Sequence, residues 1–397
     1  MWPGRRPQIG LIFTVTLTGI LANTVIAPLI PDILADFDKP DSSAGILVAS
    51  GSLPGVLAAP LIGVLADRHG RRAVLVPCLA VFGIFGVVAA AAPSFGVLVA
   101  ARLAMGLGSA GLINLAVVLI GDHWEGEDRI RQVGRNAAVI TVGLATIPLI
   151  SGIMAEVFSW RASLGLYALA IVTAVVAFAE LDSVLPPHAS MRLSDQFRGA
   201  GVALRDPTII TTIISGFLIF VMIFGLFLTA LPVHLEEQFG LDSAARGAML
   251  AVPAITSFVV ALNLAGLRRR YGLRAVIISS TALFVVAPML VGWAPTLVIA
   301  VIALGIYGLA EGGAVPTFQE VAVSGSSSEQ RGAVLAVWVA FVRLGQSVGP
   351  LIFAPIFAGI GTGAALIVGG LVAVPVVLLQ VLGPIGKSPS PHPSPPT

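Results

Sequence analysis

Four ionisable side chains lie within or at the edge of long apolar stretches: Asp32, Arg102, Glu311 and Arg343. A carboxylate in such surroundings can take up and release a proton, and a nearby guanidinium can tune that equilibrium or order water beside it. Glu311 is the only carboxylate well inside one of these apolar stretches, and Arg343 could pair with it directly or through water. We therefore expect Glu311 to be a reversible proton site, with a static ion pair as the alternative. Asp32 is a weaker candidate and could be only a solvated boundary residue.

Other kinds of chemistry find no support in the sequence. The five histidines are scattered outside the centres of the apolar stretches, so no metal site or catalytic triad can be drawn. The nucleotide-binding pattern G-x4-G-K-[ST] does not occur, and the only two lysines are Lys39 and Lys387. We expect neither an enzyme nor a nucleotide-driven pump, and we expect no cofactor and no metal.

The composition is that of a membrane protein. Apolar residues make up 57% of the chain and charged residues 11%, and the mean hydropathy is +0.99. A soluble domain carries about 25% charged residues, so this chain could not cover a water-facing surface. The net charge of +2 gives no indication of nucleic-acid binding. The expected surroundings are a lipid bilayer.

Apolar stretches of about 20 residues, each long enough to cross a bilayer, recur along the whole chain. The predicted fold is therefore all-α, with twelve transmembrane helices. They are expected near residues 9–31, 44–66, 73–92, 96–119, 137–158, 162–181, 209–232, 245–267, 274–293, 296–318, 333–355 and 361–383.

Twelve crossings put both termini on one side of the membrane, and the basic residues indicate which side. Seventeen Lys and Arg residues fall on the side of the termini, three fall on the other side and two lie inside the spans. Cytoplasmic loops are rich in Lys and Arg. Both termini are therefore predicted to be cytoplasmic, in a multi-pass protein of the cell membrane.

An internal repeat indicates two related halves. A shift of 202 residues lays Gly70 on Gly272 and Pro148 on Pro350, and it also aligns glycines in the spans between them. One constant offset across separated spans implies a duplicated bundle. Duplicated bundles place the substrate path between the halves, near the membrane midplane.

The predicted domain boundaries follow from this repeat and from the polar segments. We expect six-helix bundles at residues 1–182 and 209–386. A cytoplasmic linker at 183–208 joins them, and the proline-rich tail at 387–397 is expected to be disordered.

A short charged loop between the second and third spans carries the most specific motif. Residues 63–75 read Gly-Val-Leu-Ala-Asp-Arg-His-Gly-Arg-Arg-Ala-Val-Leu. This loop resembles the G-x-L-a-D-R-x-G-R-R/K pattern of major facilitator superfamily transporters. The matching polar and glycine positions are Gly63, Asp67, Arg68, Gly70, Arg71 and Arg72. The resemblance implies that Asp67 latches the halves together in the outward-open state, and we expect Gly63 to allow close helix packing.

The fifth span resembles the antiporter motif of the drug-efflux branch, G-x8-G-x3-G-P-x2-G-G. The residues that match it are Gly134, Gly143, Pro148 and Gly152. Ile147 and Ser151 replace two of its glycines, which weakens the case for proton exchange. Pro148 lacks an N–H and should bend the helix, while the glycines permit close contact with a partner helix.

The segment Arg102-Leu103-Ala104-Met105-Gly106 resembles the R-x-x-x-G motif of the same family, which implies a part in proton transfer for Arg102. The resemblance covers essentially the whole chain. It implies a secondary transporter that works by alternating access and exchanges inward protons for outward cargo. A proton symporter or uniporter for a small metabolite is the first alternative. A membrane sensor that binds ligand without moving it is the second.

In this family, the first, fourth, seventh and tenth spans line the central path. The polar and aromatic residues expected there are Asn23, Asn114, Phe220, Phe224, Phe227 and Tyr307. The phenylalanines form one stripe on the seventh span and could instead pack against helices or lipid. An apolar, aromatic site suits lipophilic or amphiphilic molecules better than sugars, which need many hydrogen-bonding side chains. We expect a small-molecule substrate, protons as the coupling ion and a monomeric protein.

Overall fold

The computed structural model describes residues 6–183, 201, 204, 206–324 and 331–385. Every regular element in this part of the chain is helical, as predicted. Successive helices run up and down, so the first and last described residues lie at the same end of the bundle. We call this end the termini end, and the opposite end the far end.

The first half consists of six crossing elements, several of which are built from shorter pieces. They are α1 (Ile9–Thr24, Ala27–Leu29 and Ile30–Asp36), α2 (Ala44–Ala49 and Gly55–His69), α3 (Arg71–Ala90), α4 (Phe95–Ser109 and Leu112–His123), α5 (Gly126–Val157) and α6 (Trp160–Leu164, Gly165–Ala168 and Leu169–Glu180). A short 3₁₀ turn, Asp41–Ser43, precedes α2 at the far end.

The second half repeats this order. Its elements are α7 (Pro207–Met222, Ile223–Ala230 and Leu231–Phe239), α8 (Ser243–Tyr271), α9 (Leu273–Trp293), α10 (Leu297–Ser324), α11 (Arg331–Ile360) and α12 (Thr362–Gly370 and Ala373–Leu382).

Eleven helical segments of the described residues are long and apolar enough to cross a bilayer. The remaining element, α2, is interrupted at residues 50–54, so its pieces are individually too short. These pieces follow one another along α11, because Gly45 lies against Pro350 while Gly55 lies against Arg343. The second predicted span is therefore a broken crossing rather than one continuous helix.

Several crossing elements are irregular near their middle. α1 passes through a 3₁₀ turn at Ala27–Leu29, α4 is interrupted at Ala110 and Gly111, and α7 contains a π-helical stretch at Ile223–Ala230. Irregular backbone inside a membrane is tolerated only where other protein groups or a water-filled cavity take up its free polar atoms. A polar site is therefore expected where these irregular stretches meet.

Glycines allow helices within each half to pack backbone against backbone. A Cβ atom added at Gly308 on α10 would lie 2.2 Å from the carbonyl oxygen of Pro253 on α8. One added at Gly345 on α11 would lie 2.6 Å from the carbonyl oxygen of Phe217 on α7. Small residues at such positions bring helices close enough for dispersion attraction, which is the main cohesive force between helices in lipid.

The two halves are packed tightly at the far end. A Cβ atom added at Gly152 on α5 would lie 2.1 Å from the carbonyl oxygen of Ser243 on α8, and one added at Gly247 on α8 would lie 2.4 Å from the carbonyl oxygen of Pro148. Toward the termini end, the same two helices carry exposed residues. The bundle is therefore closed at the far end.

Most of the predicted linker at 183–208 and the whole tail at 387–397 lie outside the described residues. Where the description resumes, the Asp206 carboxylate accepts a hydrogen bond from the Thr208 amide at 2.7 Å and caps the start of α7. The boundaries of the two bundles remain predictions.

We predict that Gly308→Ala lowers the thermal unfolding midpoint of the purified protein. Its methyl group would collide with the Pro253 carbonyl oxygen and the Thr256 hydroxyl, and overpacking of this kind costs about 1–3 kcal/mol. Gly266→Ala on α8 is the control, because nothing lies within 4 Å of its added carbon. A melting curve for each variant in detergent tests this. Equal midpoints for both would contradict close packing between α8 and α10.

Candidate functional site

A cavity of about 380 Å³ lies between the two halves, lined by α1, α2, α4 and α5 on one side and by α7, α8, α10 and α11 on the other. Its wall is mostly apolar. The residues that could bear polar chemistry on the wall are Asn23, Thr24, Ser109, Thr141, Ser257, Glu311, Arg343 and Gln346. The volume and the predominantly apolar lining are those of a small-molecule site.

The predicted cavity residues divide into two groups. Asn23 and three aromatic residues of the α7 stripe, Phe220, Phe224 and Phe227, line the cavity. The last two lie in the π-helical stretch, whose wider turns change the direction of the side chains.

Two predicted cavity residues lie elsewhere. Tyr307 is 3% exposed and stacks behind Phe227, with ring centroids 4.9 Å apart, so the phenylalanine separates it from the cavity. Asn114 is exposed and does not contribute to the cavity wall. Both errors have one cause: the residues share a helix with true lining residues but face another direction.

Glu311 and Arg343 both line the cavity, but the direct pairing that the sequence suggested is absent. No hydrogen bond or ion pair joins these two side chains in the described part of the chain. Arg343 instead donates from Nη2 to the carbonyl oxygens of Ala110 and Ser109, at 3.0 and 3.4 Å. These oxygens are free because α4 is interrupted there. The guanidinium of the second half therefore binds a helix break in the first half, and the Glu311 carboxylate has no partner among the described residues.

Arg102 is 1% exposed and lies behind the cavity wall. Its Nε donates to the Leu47 carbonyl oxygen at 2.8 Å, and its Nη1 donates to the Ala22 carbonyl oxygen at 3.1 Å. A third nitrogen, Nη2, donates to Asn23 Oδ1 at 3.2 Å. The side chain thus ties the breaks of α1 and α2 together. No described carboxylate contacts it, so the geometry offers Arg102 a structural role and no direct proton partner.

The charged loop at the termini end forms a network inside the first half. The Arg71 guanidinium forms salt bridges with Asp67 and with Asp122 on α4, the second at 2.9 Å. Arg72 donates to the Ser183 hydroxyl and lies over the Phe178 ring. Arg71, the salt-bridge partner of Asp67 among the described residues, therefore belongs to the same half as Asp67.

The remaining loop positions shape the turn. Gly70, between α2 and α3, has φ of 91°, a conformation that favours glycine. Arg68 is exposed. Nothing lies within 4 Å of a Cβ atom added at Gly63, so the close helix contact expected there is not present in this conformation.

The antiporter-like motif of α5 lies against two different helices. Gly143 packs on Leu17 and Ile20 of α1, while Pro148 and Gly152 pack on α8 of the other half. Nothing lies within 4 Å of a Cβ atom added at Gly134. The part of the motif nearest the far end, Pro148 and Gly152, therefore forms a contact between the two halves of the protein.

Arg246 is a buried cation that the sequence analysis did not single out, because it is one of the three basic residues assigned to the far side. It is 1% exposed and lies in the first turn of α8. It forms a salt bridge with Asp32 of α1 and donates from Nε to the Pro28 carbonyl oxygen at 3.0 Å. Glu236 of α7 lies 3.4 Å from its Nη1. Asp32 is therefore not merely a solvated boundary residue; it is the first-half partner of an ion pair that joins the halves at the far end.

The geometry is that of two helical halves around an apolar cavity, and comparison with known proteins decides the family. A family model described as Major Facilitator Superfamily matches residues 12–350 and 213–396. The chain belongs to this superfamily. It is thus a member of a transporter family and not an enzyme.

Among the major facilitator proteins similar to this chain are exporters. The chain is 24% identical to the bacillibactin exporter of Bacillus subtilis (strain 168), over 87% of this chain and 88% of that protein. It is 27% identical to the class C tetracycline resistance protein of Escherichia coli, over 91% and 93%. The crystal structure of the human organic anion transporter MFSD10 shares the fold, with a TM-score of 0.70 at 20% identity over 94% of this chain and 98% of that one.

We predict that Arg246→Met opens the far end of this transporter. The change removes a charged hydrogen-bond donor from Asp32 and Pro28, worth about 1.5–3 kcal/mol, and each 1.4 kcal/mol changes the population ratio tenfold. Spin labels on the exposed residues Lys39 and Gln238, introduced as cysteines with Cys78→Ala, report the separation between the halves. Arg246→Met should populate a longer distance.

Arg161→Met is the matched control for this experiment. Arg161 also pairs with an aspartate at the far end, Asp36 at 2.7 Å, but both residues belong to the first half. Its removal should leave the distance unchanged. An unchanged distance in Arg246→Met as well would show that glycine packing alone holds the far end closed.

Proposed function

We propose that this major facilitator transporter exports lipophilic or amphiphilic small molecules in exchange for protons. The proposal rests mainly on Glu311, whose carboxylate lies on the wall of an apolar cavity between the two halves and has no partner among the described residues. Closing such a cavity around a charged, unpartnered carboxylate is costly, and protonation removes that cost. A relative named as an exporter and another named for tetracycline resistance favour the outward direction of cargo movement.

The orientation follows from the distribution of basic residues, which puts both termini in the cytoplasm of a cell-membrane protein. The termini end then faces the cytoplasm, and a bundle closed at the far end is an inward-facing transporter. Alternating access requires the halves to rock about the cavity, so that the contacts between α5 and α8 separate while the termini end closes.

A proton and the cargo would occupy the cavity in turn. When the far end is open, a proton from outside neutralises Glu311, and the cavity can close and release that proton inside. Cargo that binds while the cavity is open to the inside would accompany the return step, so that cargo and proton compete for one conformational state. Asp67 would hold the outward-open state by meeting the other half, and its pairing with Arg71 in its own half supports an open termini end in the present state.

The test is substrate flux in proteoliposomes with and without an imposed pH gradient. The substrate for this assay is chosen by testing lipophilic drugs for susceptibility and accumulation in a pump-deficient host that expresses the protein. Glu311→Gln should abolish uphill, gradient-driven flux while keeping downhill exchange, because the amide cannot titrate. Glu311→Asp should keep part of the coupling.

Glu320→Gln is the matched control, since Glu320 lies on the same helix but pairs with Arg268 at the termini end. It should respond to the gradient like the wild type. If Glu311→Gln also does so, the coupling site lies elsewhere and Asp32 is the next residue to change. Cargo that moves in the same direction as protons would identify a symporter, the alternative that the departures at Ile147 and Ser151 keep open.

A further inference from the structure

Asn23 is the cavity residue whose orientation the structure determines most fully. It lies at the end of the first helix of α1 and lines the cavity. Arg102 Nη2 approaches its side-chain amide at 3.2 Å from behind the wall. A guanidinium has five donors and no acceptor, so the amide atom that faces it must be the oxygen. The amide nitrogen is then the free end of Asn23.

Arg102 can hold this orientation because it is itself immobilised. It is 1% exposed, and two further donors bind the Leu47 and Ala22 carbonyl oxygens of broken helices. Tyr167 adds a contact from α6, with its hydroxyl 3.4 Å from Nη1. No described residue accepts a hydrogen bond from the Asn23 amide nitrogen. Two N–H donors of Asn23 are therefore available at the cavity wall.

Gly51 leaves room for this arrangement. A Cβ atom added there would lie 2.7 Å from Arg102 Nη2 and 3.0 Å from Asn23 Oδ1, so the glycine lies directly over the hydrogen bond between them. Gly51 also lines the cavity. A methyl group at this position would displace the two side-chain ends without removing either one.

We propose that Asn23 is a specificity-determining residue that selects lipophilic cargo bearing a carbonyl-type oxygen, and that Arg102 is its positioning residue. The proposal rests on the proposed function, in which the cavity is the cargo path. An apolar wall binds the body of the cargo, and an oriented N–H pair binds an acceptor oxygen. A molecule of the same shape without that oxygen leaves the donors unpaired in an apolar site, which is what makes such a site selective.

The experiment compares three molecules with one shared body. They are 1-acetylnaphthalene, which has an acceptor oxygen, 1-ethylnaphthalene, which has none, and 1-(1-naphthyl)ethylamine, which carries a cationic donor. Binding to the purified full-length protein in detergent is measured by titration calorimetry. The wild type should bind the ketone roughly 3–10-fold more tightly than the hydrocarbon, the range of one neutral hydrogen bond.

Two variants test the assignment to Asn23 and its positioning by Arg102. Asn23→Leu should bring the ketone-to-hydrocarbon ratio to about one while keeping hydrocarbon binding, which also reports a folded cavity. Gly51→Ala should lower the same ratio, an effect that a merely structural role for Arg102 would not produce. Gly10→Ala, with nothing within 4 Å of its added carbon, and Gln346→Leu, which removes the other amide of the wall, should keep the wild-type ratio.

Three outcomes would overturn the proposal. Equal binding of ketone and hydrocarbon by the wild type would show that the cavity does not select an acceptor oxygen. If Gln346→Leu abolishes the preference for the ketone and Asn23→Leu does not, the hydrogen-bond donor is Gln346 of α11. Tighter binding of the amine than of the ketone would make the cargo a cation held by Glu311. Glu311→Gln should keep the ketone ratio, so a failure of proton coupling and a failure of this assignment are separately visible.

Discussion

Carbonyl oxygens that lose their helical partners inside a membrane need other donors, and the structure of this transporter depends on how they are supplied. Arg102 donates to carbonyl oxygens at the breaks of α1 and α2, Arg343 does so at the break of α4, and Arg246 does so at the 3₁₀ turn of α1. One guanidinium can serve several oxygens in fixed directions because it has five donors. The broken helices are thereby stable, and the irregular backbone surrounds the cavity.

The same arrangement gives the buried arginines and the Glu311 carboxylate different roles. Arg246 and Arg343 reach from the second half to backbone oxygens of the first, so they join the halves. Arg102 joins two helices within the first half and orients Asn23. Because Arg343 binds backbone oxygens instead, the Glu311 carboxylate lines the cavity with no partner in the described part of the chain. A titratable group can then respond to protons and cargo while the guanidinium groups maintain the geometry around it.

Hydropathy predicted the membrane crossings, and motif spacing carried the resemblance to the family, because both depend on local composition and sequence pattern. The expectation that Asn23 and the α7 phenylalanines line the central path came from that resemblance. Three features of the structure could not be predicted from these sequence patterns. The break in α2 falls at residues 50–54, Ser-Gly-Ser-Leu-Pro, and hydropathy averaged over a whole span does not detect it because both flanking pieces are apolar. The facing direction of Tyr307 depends on helix rotation, which is set by packing. The burial of Arg246 depends on a contact with Asp32, which lies 214 residues away in sequence. From sequence alone, a single charge at the end of a span is assigned to a loop.

The partners of Arg343 also bear on how the transporter responds to membrane voltage. Arg343 donates to carbonyl oxygens, which bind the guanidinium without neutralising its charge. The guanidinium therefore keeps its positive charge at the cavity wall while it is bound to the opposite half. When the halves rock, any displacement of this charge along the membrane normal does electrical work. A unit charge that crosses the whole membrane field does about 2.3 kcal/mol of work per 100 mV. A charge that crosses part of the field does the corresponding part of that work. The proposed rocking motion would therefore be electrogenic in proportion to that displacement, whatever the charge on the cargo.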